Sequence, residues 1–301
     1  MFNLKITSLQ NPKIKKALSL YKKNVRDETG LFLIEGYREL LRAVEGNVQI
    51  ESFFFCPEFF LGENETSLIE KIKTKIKSKS KIKTKIEKRD DTDRDTYNDD
   101  NQSEQIYECR KEVFQKLSYR DRPDGLIAVA FQNPLNLQDL KKLLTPSKNS
   151  SKEPFLVVAE SIEKPGNLGT ILRSADGAKV DALILCDERT DLYNPNVVRA
   201  SVGTLFTLPV ISASSSETMK FLKAEKIQIT ATSPASAQRY TEADLKQSLA
   251  VIVGSEQLGL SQRWLKAADL TLKIPMLGAA DSLNVASATT LMLYEVLRQR
   301  N

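Results

Sequence analysis

Three loops of this 301-residue chain gather the residue types that do chemistry. The first is Glu163-Lys164-Pro165-Gly166-Asn167-Leu168-Gly169, opening a helix that carries Arg173 and Ser174. Asn167 offers a helix cap, the two glycines let a ligand approach the backbone, and Arg173 presents a planar fork of donors suited to a phosphate or carboxylate. The second, Gly254-Ser255-Glu256-Gln257-Leu258-Gly259-Leu260, leaves the very apolar run LAVIV. A glycine there exposes backbone N–H and C=O groups, and Glu256 is free to accept from a donor or pair with a cation. The loop is neither G-x-G-x-x-G nor G-x-x-x-x-G-K-[ST], so neither a dinucleotide fingerprint nor a P-loop is present. The third runs Ile274-Pro275-Met276 and then Gly278-Ala279-Ala280-Asp281-Ser282-Leu283-Asn284-Val285-Ala286. It reads as an N-cap before an Ala-rich helix, yet Ser282 and Asn284 are polar groups at the head of an apolar segment and call for partners. Each loop alone is also an ordinary turn; their order and spacing carry the signal.

The chain has no His. A Ser-His-Asp triad, a Cys-His pair, a His general base and nearly every catalytic zinc site are thereby excluded, and no metal is expected. Cys56, Cys109 and Cys186 are far apart and lack C-x-x-C spacing, so they read as free thiols of a reducing compartment. No apolar run approaches the roughly 20 residues of a bilayer span. The first residues, MFNLKITSLQNPKIKK, lack the apolar core of a secretory signal, and a cytoplasmic location is expected.

The elements that must position the loops follow from apolar patterning. From 155 onward, continuous apolar strands alternate with helices: FLVVAESI, ALILCD, LPVI, IQITATS, LAVIVGSE and LTLKIP, ending in a helix over 282–300. That alternation predicts an α/β domain with a parallel sheet covered on both faces, whose ligands bind at the carboxyl ends of the strands. Residues 1–133 read as a smaller α+β domain, with helices over 11–23 and 35–46 and strands at 30–34, 49–56 and 124–131. Residues 134–154 hold a short helix and a Ser/Lys/Pro stretch, and read as a linker.

Charge divides unevenly. Residues 155–301 carry 15 basic and 15 acidic side chains, whereas positions 1–26 carry Lys5, Lys13, Lys15, Lys16, Lys22, Lys23 and Arg26 with no acid. A basic N-terminal segment beside a neutral domain suits polyanion binding by the first and chemistry in the second. Within 62–105, KIKTKIKSKSKIKTKI places Lys at every odd position from 71 to 85, and RDDTDRDTYNDDNQSE follows. This low-complexity insertion is expected to be disordered.

N-x-G-x-x-x-R, then G-S-E-x-x-G-L, then I-P-M with S-L-N-V-A resembles the three motifs of SpoU-type (TrmH-like) RNA ribose 2′-O-methyltransferases of the SPOUT superfamily. ITSLQNPKIK, GLFLIEGYRELLRA and DGLIAVAF resemble the L30e-like RNA-binding domain that precedes the catalytic domain in many members. That register begins near Ile6, so no transit peptide is expected. The resemblance implies a trefoil-knotted domain over 155–301, homodimerisation through it, and S-adenosylmethionine as cofactor. By position, Thr232, Gly254, Ile274 and Leu283 would contact the cofactor, and Asn167, Arg173, Glu256, Ser282 and Asn284 would line the catalytic pocket. Lys13, Lys15, Lys16 and Arg38 would meet RNA. Lys179 stands where a Gly often ends the first-motif helix, and a modest local change is expected there. The implied substrate is structured RNA, ribosomal in preference to tRNA. A non-catalytic RNA-binding protein of the same fold and a nucleotide-binding hydrolase are the competing classes.

Overall fold

A computed structural model describes residues 5–87, 105–145 and 153–301. The chain forms two compact units, Met1–Gln132 and Asn133–Asn301.

The first unit comprises β1 (Lys5–Ile6), α1 (Pro12–Ser19), α2 (Lys23–Thr29), β2 (Leu31–Glu35), α3 (Tyr37–Glu45), β3 (Ile50–Phe55), α4 (Glu65–Glu87), β4 (Ile106–Cys109), α5 (Lys111–Leu117) and β5 (Leu126–Phe131). Its sheet has the order β1-β4-β3-β5-β2, with β5 antiparallel to both its neighbours and the other pairs parallel. Ile14 and Ala17 of α1 and Val113, Phe114 and Leu117 of α5 pack with Leu33, Phe54, Ile127 and Val129 of the sheet. Asn11 caps α1 by accepting from Lys13 N–H at 2.9 Å, with Pro12 as the first helical residue. The helix expected over 11–23 ends at Ser19, and a second helix that the pattern did not predict, α2, starts at Lys23; the buried Arg26 side chain donates to the Leu20 carbonyl at 2.6 Å and ties α2 to the end of α1. The short strands β1 and β4 were not evident from the sequence pattern.

The expectation of disorder over 62–105 is corrected over 65–87, which is helical. Glu65 is buried and accepts from Leu61 and Gly62 N–H at 3.1 and 3.0 Å, fixing the helix start. Leu68, Ile69 and Ile72 then fall on one face and are buried, so the helix begins as a core element. Composition alone hid this, since the anchor is only five residues long. The acidic run at 90–104 lies outside the described residues.

The second unit comprises α6 (Leu137–Leu144), β6 (Phe155–Glu160), α7 (Pro165–Gly177), β7 (Ala182–Cys186), α8 (Pro195–Ser201), β8 (Val210–Ala213), α9 (Ser215–Ala224), β9 (Gln228–Thr232), β10 (Leu249–Val253), α10 (Gln262–Ala267), β11 (Leu270–Leu272) and α11 (Val285–Arg300). Six strands form a fully parallel sheet of order β11-β9-β10-β6-β7-β8. Every residue of β6, β7 and β10 is buried, as expected for strands covered on both faces. The segment assigned as a linker opens with α6, capped by a reciprocal Asn136–Asp139 box, and Leu140 is part of the second unit's core. Its amphipathic LQDLKKLL pattern docks it on the sheet, so it is structural. Lys179 adopts the left-handed conformation, φ +54°, so it takes up the backbone geometry that glycine would adopt more cheaply.

Candidate active site

Strand order locates the site. From β6 the chain steps outward through β7 to β8, while β10, β9 and β11 lie on the other side. The direction reverses between β6 and β10, and ligands of parallel sheets settle at such a switch point, beyond the strand carboxyl ends. The loops after β6 and β10, read from sequence as two of the three chemical segments, meet there.

Glu256 joins them. One carboxylate oxygen accepts from the Asn167 side-chain amide at 2.7 Å and from Lys164 N–H at 3.1 Å; the other accepts from Glu163 N–H at 3.1 Å. Lys164 is the residue before the first turn of α7, and its side chain makes no cap. Glu256 therefore serves as a cap supplied from another loop, placed where the positive end of the helix dipole favours an anion. Burial pushes the Glu256 carboxyl upward, but the hydrogen bonds from Asn167 and the Glu163 and Lys164 amides outweigh it and hold the group below the ordinary carboxylate range.

The third loop is tied to the same network. Asn284 donates from its amide to the Asn167 Oδ1 at 3.1 Å and accepts from Ala286 N–H at 2.9 Å, capping α11. Polarity is thus set along the chain. The acceptor-only Glu256 fixes the Asn167 NH₂, whose oxygen then faces the Asn284 NH₂, whose oxygen faces a backbone donor. Asn167 itself was expected to cap α7; it sits two residues inside the helix because Pro165 takes the first position, and its side chain serves this network instead.

A cleft of about 530 Å³ opens beside the network, within the usual range for small-molecule sites. Thr232, Gly254, Ile274 and Leu283, the four residues expected to touch a cofactor, all line it, together with Glu256, Ser282 and Asn284. Pro234, outside the three motifs, and Met276 and Val285, within the third motif but given no role from sequence, add apolar surface. A Cβ on Gly254 would come 2.1 Å from the Gly259 carbonyl carbon, so only glycine permits the tight 254–259 turn that forms one wall. Ser255 and Gly259 close that turn with two backbone hydrogen bonds of 3.1 and 3.0 Å. Ser282 is exposed and makes no hydrogen bond among the described residues.

Arg173 is not part of the cleft lining. It is exposed on α7 and has no hydrogen bond or ion pair among the described residues. Its neighbour Ser174 bonds the Thr290 hydroxyl of α11 at 2.7 Å, and Gly169 lets α8 approach α7 closely, since a Cβ there would lie 2.3 Å from that of Ala200. The helix bearing Arg173 is therefore held firmly while its guanidinium stays available. In the first unit, Lys13 and Lys15 are exposed on α1 and Arg38 on α3. Lys16 is engaged in an ion pair with Glu51 at 2.7 Å.

A parallel sheet with a backbone-walled cleft at its switch point and an amide–carboxylate network beside it defines an α/β enzyme domain for a small organic ligand. Residues 154–294 match the SpoU rRNA Methylase family, and residues 11–94 match the MRM3-like substrate binding domain. The chain belongs to the SpoU rRNA methylase family. A 23S rRNA (guanosine(2553)-2′-O)-methyltransferase of Bacillus subtilis is 27% identical over 97% of this chain and 98% of its own length. A crystal structure of an RNA 2′-O ribose methyltransferase is 34% identical, covers 99% of both chains and superposes with a TM-score of 0.75. An AdoMet-bound rRNA methyltransferase from Sinorhizobium meliloti is 27% identical over 98% of this chain and 97% of that one, with a TM-score of 0.78.

Proposed function

We propose that this protein transfers a methyl group from S-adenosylmethionine to a ribose 2′-hydroxyl of structured RNA, with 23S-type ribosomal RNA as its substrate. The observation that carries the reading is the convergence of Thr232, Gly254, Ile274 and Leu283 on one cleft beside the Glu256–Asn167–Asn284 network. The cleft fits the cofactor chemically. It offers strand-end backbone groups for a ribose and an adenine edge, and apolar Ile274, Met276 and Leu283 for a flat ring. The bound cofactor supplies an activated methyl group on a sulfonium.

The chain must then orient the acceptor and dispose of its proton. Asn167 and Asn284 hold the loop edges in one register, and Glu256 locks that register by fixing which end of each amide faces which way. Arg173 holds the 2′-oxygen or its adjacent phosphate with two parallel N–H donors, and the proton passes to a phosphate oxygen or water. Arg is not the base here, since a guanidinium does not deprotonate in proteins. Lys13, Lys15 and Arg38 contribute to RNA binding in the first unit. Lys16 is held by Glu51 and contributes less.

The trefoil knot and a homodimer through the second unit belong to this proposal. Exposed Leu291 and Tyr294 on α11 support the dimer, which sedimentation at micromolar concentration tests. A cytoplasmic site of action accords with three buried free thiols, of which burial pushes Cys109 and Cys186 up to about 12. The decisive experiment incubates protein, methyl-labelled S-adenosylmethionine and total RNA from a strain lacking the gene, with Arg173→Ala in parallel. Label in an alkali-stable 2′-O-methylated dinucleotide of ribosomal RNA, absent with the variant, is expected. Label in tRNA redirects the substrate, and cofactor binding without transfer makes the protein a non-catalytic RNA binder.

A further inference from the structure

Glu160 is out of keeping with the strand that carries it. β6 reads FLVVAE, every position is buried, and its last residue is the one charged side chain among them. Only 7% of Glu160 is exposed. Burying a carboxylate is costly unless donors surround it, yet this one takes a single hydrogen bond among the described residues, from Ser261 N–H to Oε2 at 2.8 Å. An apolar side chain of like size would be buried there at smaller cost. A conflict of this kind between a residue and its surroundings, at the carboxyl end of a strand beside the cleft, points to a role other than stability.

The partner of that bond shows what the role is. Residues 253–260 all line the cleft, so one wall is a single uninterrupted segment between the end of β10 and Ser261. Its entrance is set by the sheet, where Val253 pairs with Ala159 of β6. Its exit is Ser261, the residue before α10, whose N–H is held by Glu160. Adjacent residues of one strand thus fix both ends of the wall, Ala159 through the ladder and Glu160 through its side chain. Between the ends, the Ser255–Gly259 turn closes on itself and Glu256 ties it to α7.

The helix beyond the wall does not depend on this bond. Trp264 of α10 is fully buried and donates from Nε1 to the Ser215 hydroxyl at 3.0 Å, which in turn donates to Asp187 at 2.6 Å. The Ser261 carbonyl accepts from Trp264 and Leu265 N–H at 3.0 and 3.2 Å. The indole therefore docks α10 on its own, and what the carboxylate adds is the place where the wall ends.

We propose that Glu160 is a positioning residue for the cofactor: by holding Ser261 it sets the exit of the 253–260 wall, and so the shape of the cleft that S-adenosylmethionine enters. Glu160 does not itself line the cleft and acts through the backbone of the wall. The inference rests on the function proposed above, which gives the cleft to that cofactor.

The test measures binding of S-adenosylhomocysteine, the demethylated cofactor, by calorimetric titration of the full chain and of Glu160→Ala, Glu160→Gln and Ser261→Pro, each with a thermal melt. Alanine removes the acceptor, whereas glutamine keeps a side-chain carbonyl that accepts from the same N–H. Proline removes the donor instead, and Ser261 already has φ −63°, the value that the ring imposes. Losing a hydrogen bond to a charged acceptor at the wall lowers affinity by about tenfold in the Ala and Pro variants. Glutamine restores it to within about threefold of the unmodified chain. In Glu160→Ala/Ser261→Pro the loss is no larger than in either single variant, because both remove one and the same bond. With S-adenosylmethionine well above its raised Kd, single-turnover methyl transfer by Glu160→Ala returns to within about twofold of normal, since Arg173 and the Glu256 network are untouched. Unchanged affinity in the Ala variant overturns the inference, and with a lowered melting temperature it leaves Glu160 a structural helix cap. Glutamine as weak as alanine, or losses that add in the double variant, overturn it as well. A full chain that binds no S-adenosylhomocysteine overturns the cofactor reading and this inference together. A full chain that binds it and shows the expected losses, yet transfers no methyl group, defeats the proposed reaction and leaves the role of Glu160 standing.

Discussion

A single added carbon at Gly254 probes whether the 254–259 turn is the wall of the cofactor site. In Gly254→Ala the new Cβ lies 2.1 Å from the Gly259 carbonyl carbon, 2.2 Å from its oxygen and 2.3 Å from Leu260 N. All three are backbone atoms, so no side-chain rotation relieves the clash. Reaching ordinary contact at 3.4 Å requires the turn to move by about 1.3 Å. Such overpacking costs about 1–3 kcal/mol, which corresponds to a loss in ligand affinity between about fivefold and about a hundredfold if it falls on the bound state. Because Glu256 rides on the same turn, its grip on Asn167 and α7 shifts too, and a misplacement near 1 Å costs about 10²-fold in rate. The assays are calorimetric titration with S-adenosylmethionine and single-turnover methyl transfer to ribosomal RNA, each paired with a thermal melt. Cofactor affinity within twofold of the unmodified chain, together with an unchanged single-turnover rate, would refute the assignment of this turn to the site.

Arg173→Lys keeps the charge but loses the planar fork, so turnover should fall by about tenfold to a hundredfold with the melting temperature unchanged, since Arg173 has no partner among the described residues; near-normal turnover sinks bidentate positioning. The Glu256 carboxyl is held below its ordinary value, so its stabilisation is complete above the unfolded value of about 4.3 and is lost as pH falls through the folded value. Urea midpoints of the second unit should therefore drop at acid pH, and Glu256→Gln should flatten that drop; parallel curves for the two proteins contradict it. Lys179→Gly should raise stability by about 0.5–1 kcal/mol by relieving the left-handed backbone at φ +54°, with Lys179→Val moving the midpoint the other way. A lowered midpoint for the glycine variant would show that the lysine side chain contributes more than its backbone costs.

Legibility followed the range of the interactions involved. Strand runs such as LAVIV and ALILC are entirely buried because every position is apolar, and that information is local. Loop chemistry was legible for the same reason: Gly254, Glu256, Ser282 and Asn284 stand at strand or helix ends, where a parallel sheet presents its ligands. Less legible were features that depend on a weak local signal overruled by neighbours. The five-residue anchor of α4 was masked by the lysine repeat around it. Arg26, one basic residue among seven in positions 1–26, is buried in a second helix and bonds back to the Leu20 carbonyl at the end of α1.

What the sequence determined by itself is the alternation of strand and helix, the identity of the reactive loops and the absence of any imidazole. Only the tertiary structure decided what those loops do to one another. Glu256 and Asn167 are 89 residues apart and hydrogen-bond because β6 and β10 are neighbours in the sheet; Asn167 and Asn284, 117 residues apart, meet because α7 and α11 lie side by side. The cap of α7 is likewise supplied from another loop, which no window of local sequence contains. Hydrogen bonds need partners within about 3 Å, and at such separations in the chain only the strand order supplies that proximity.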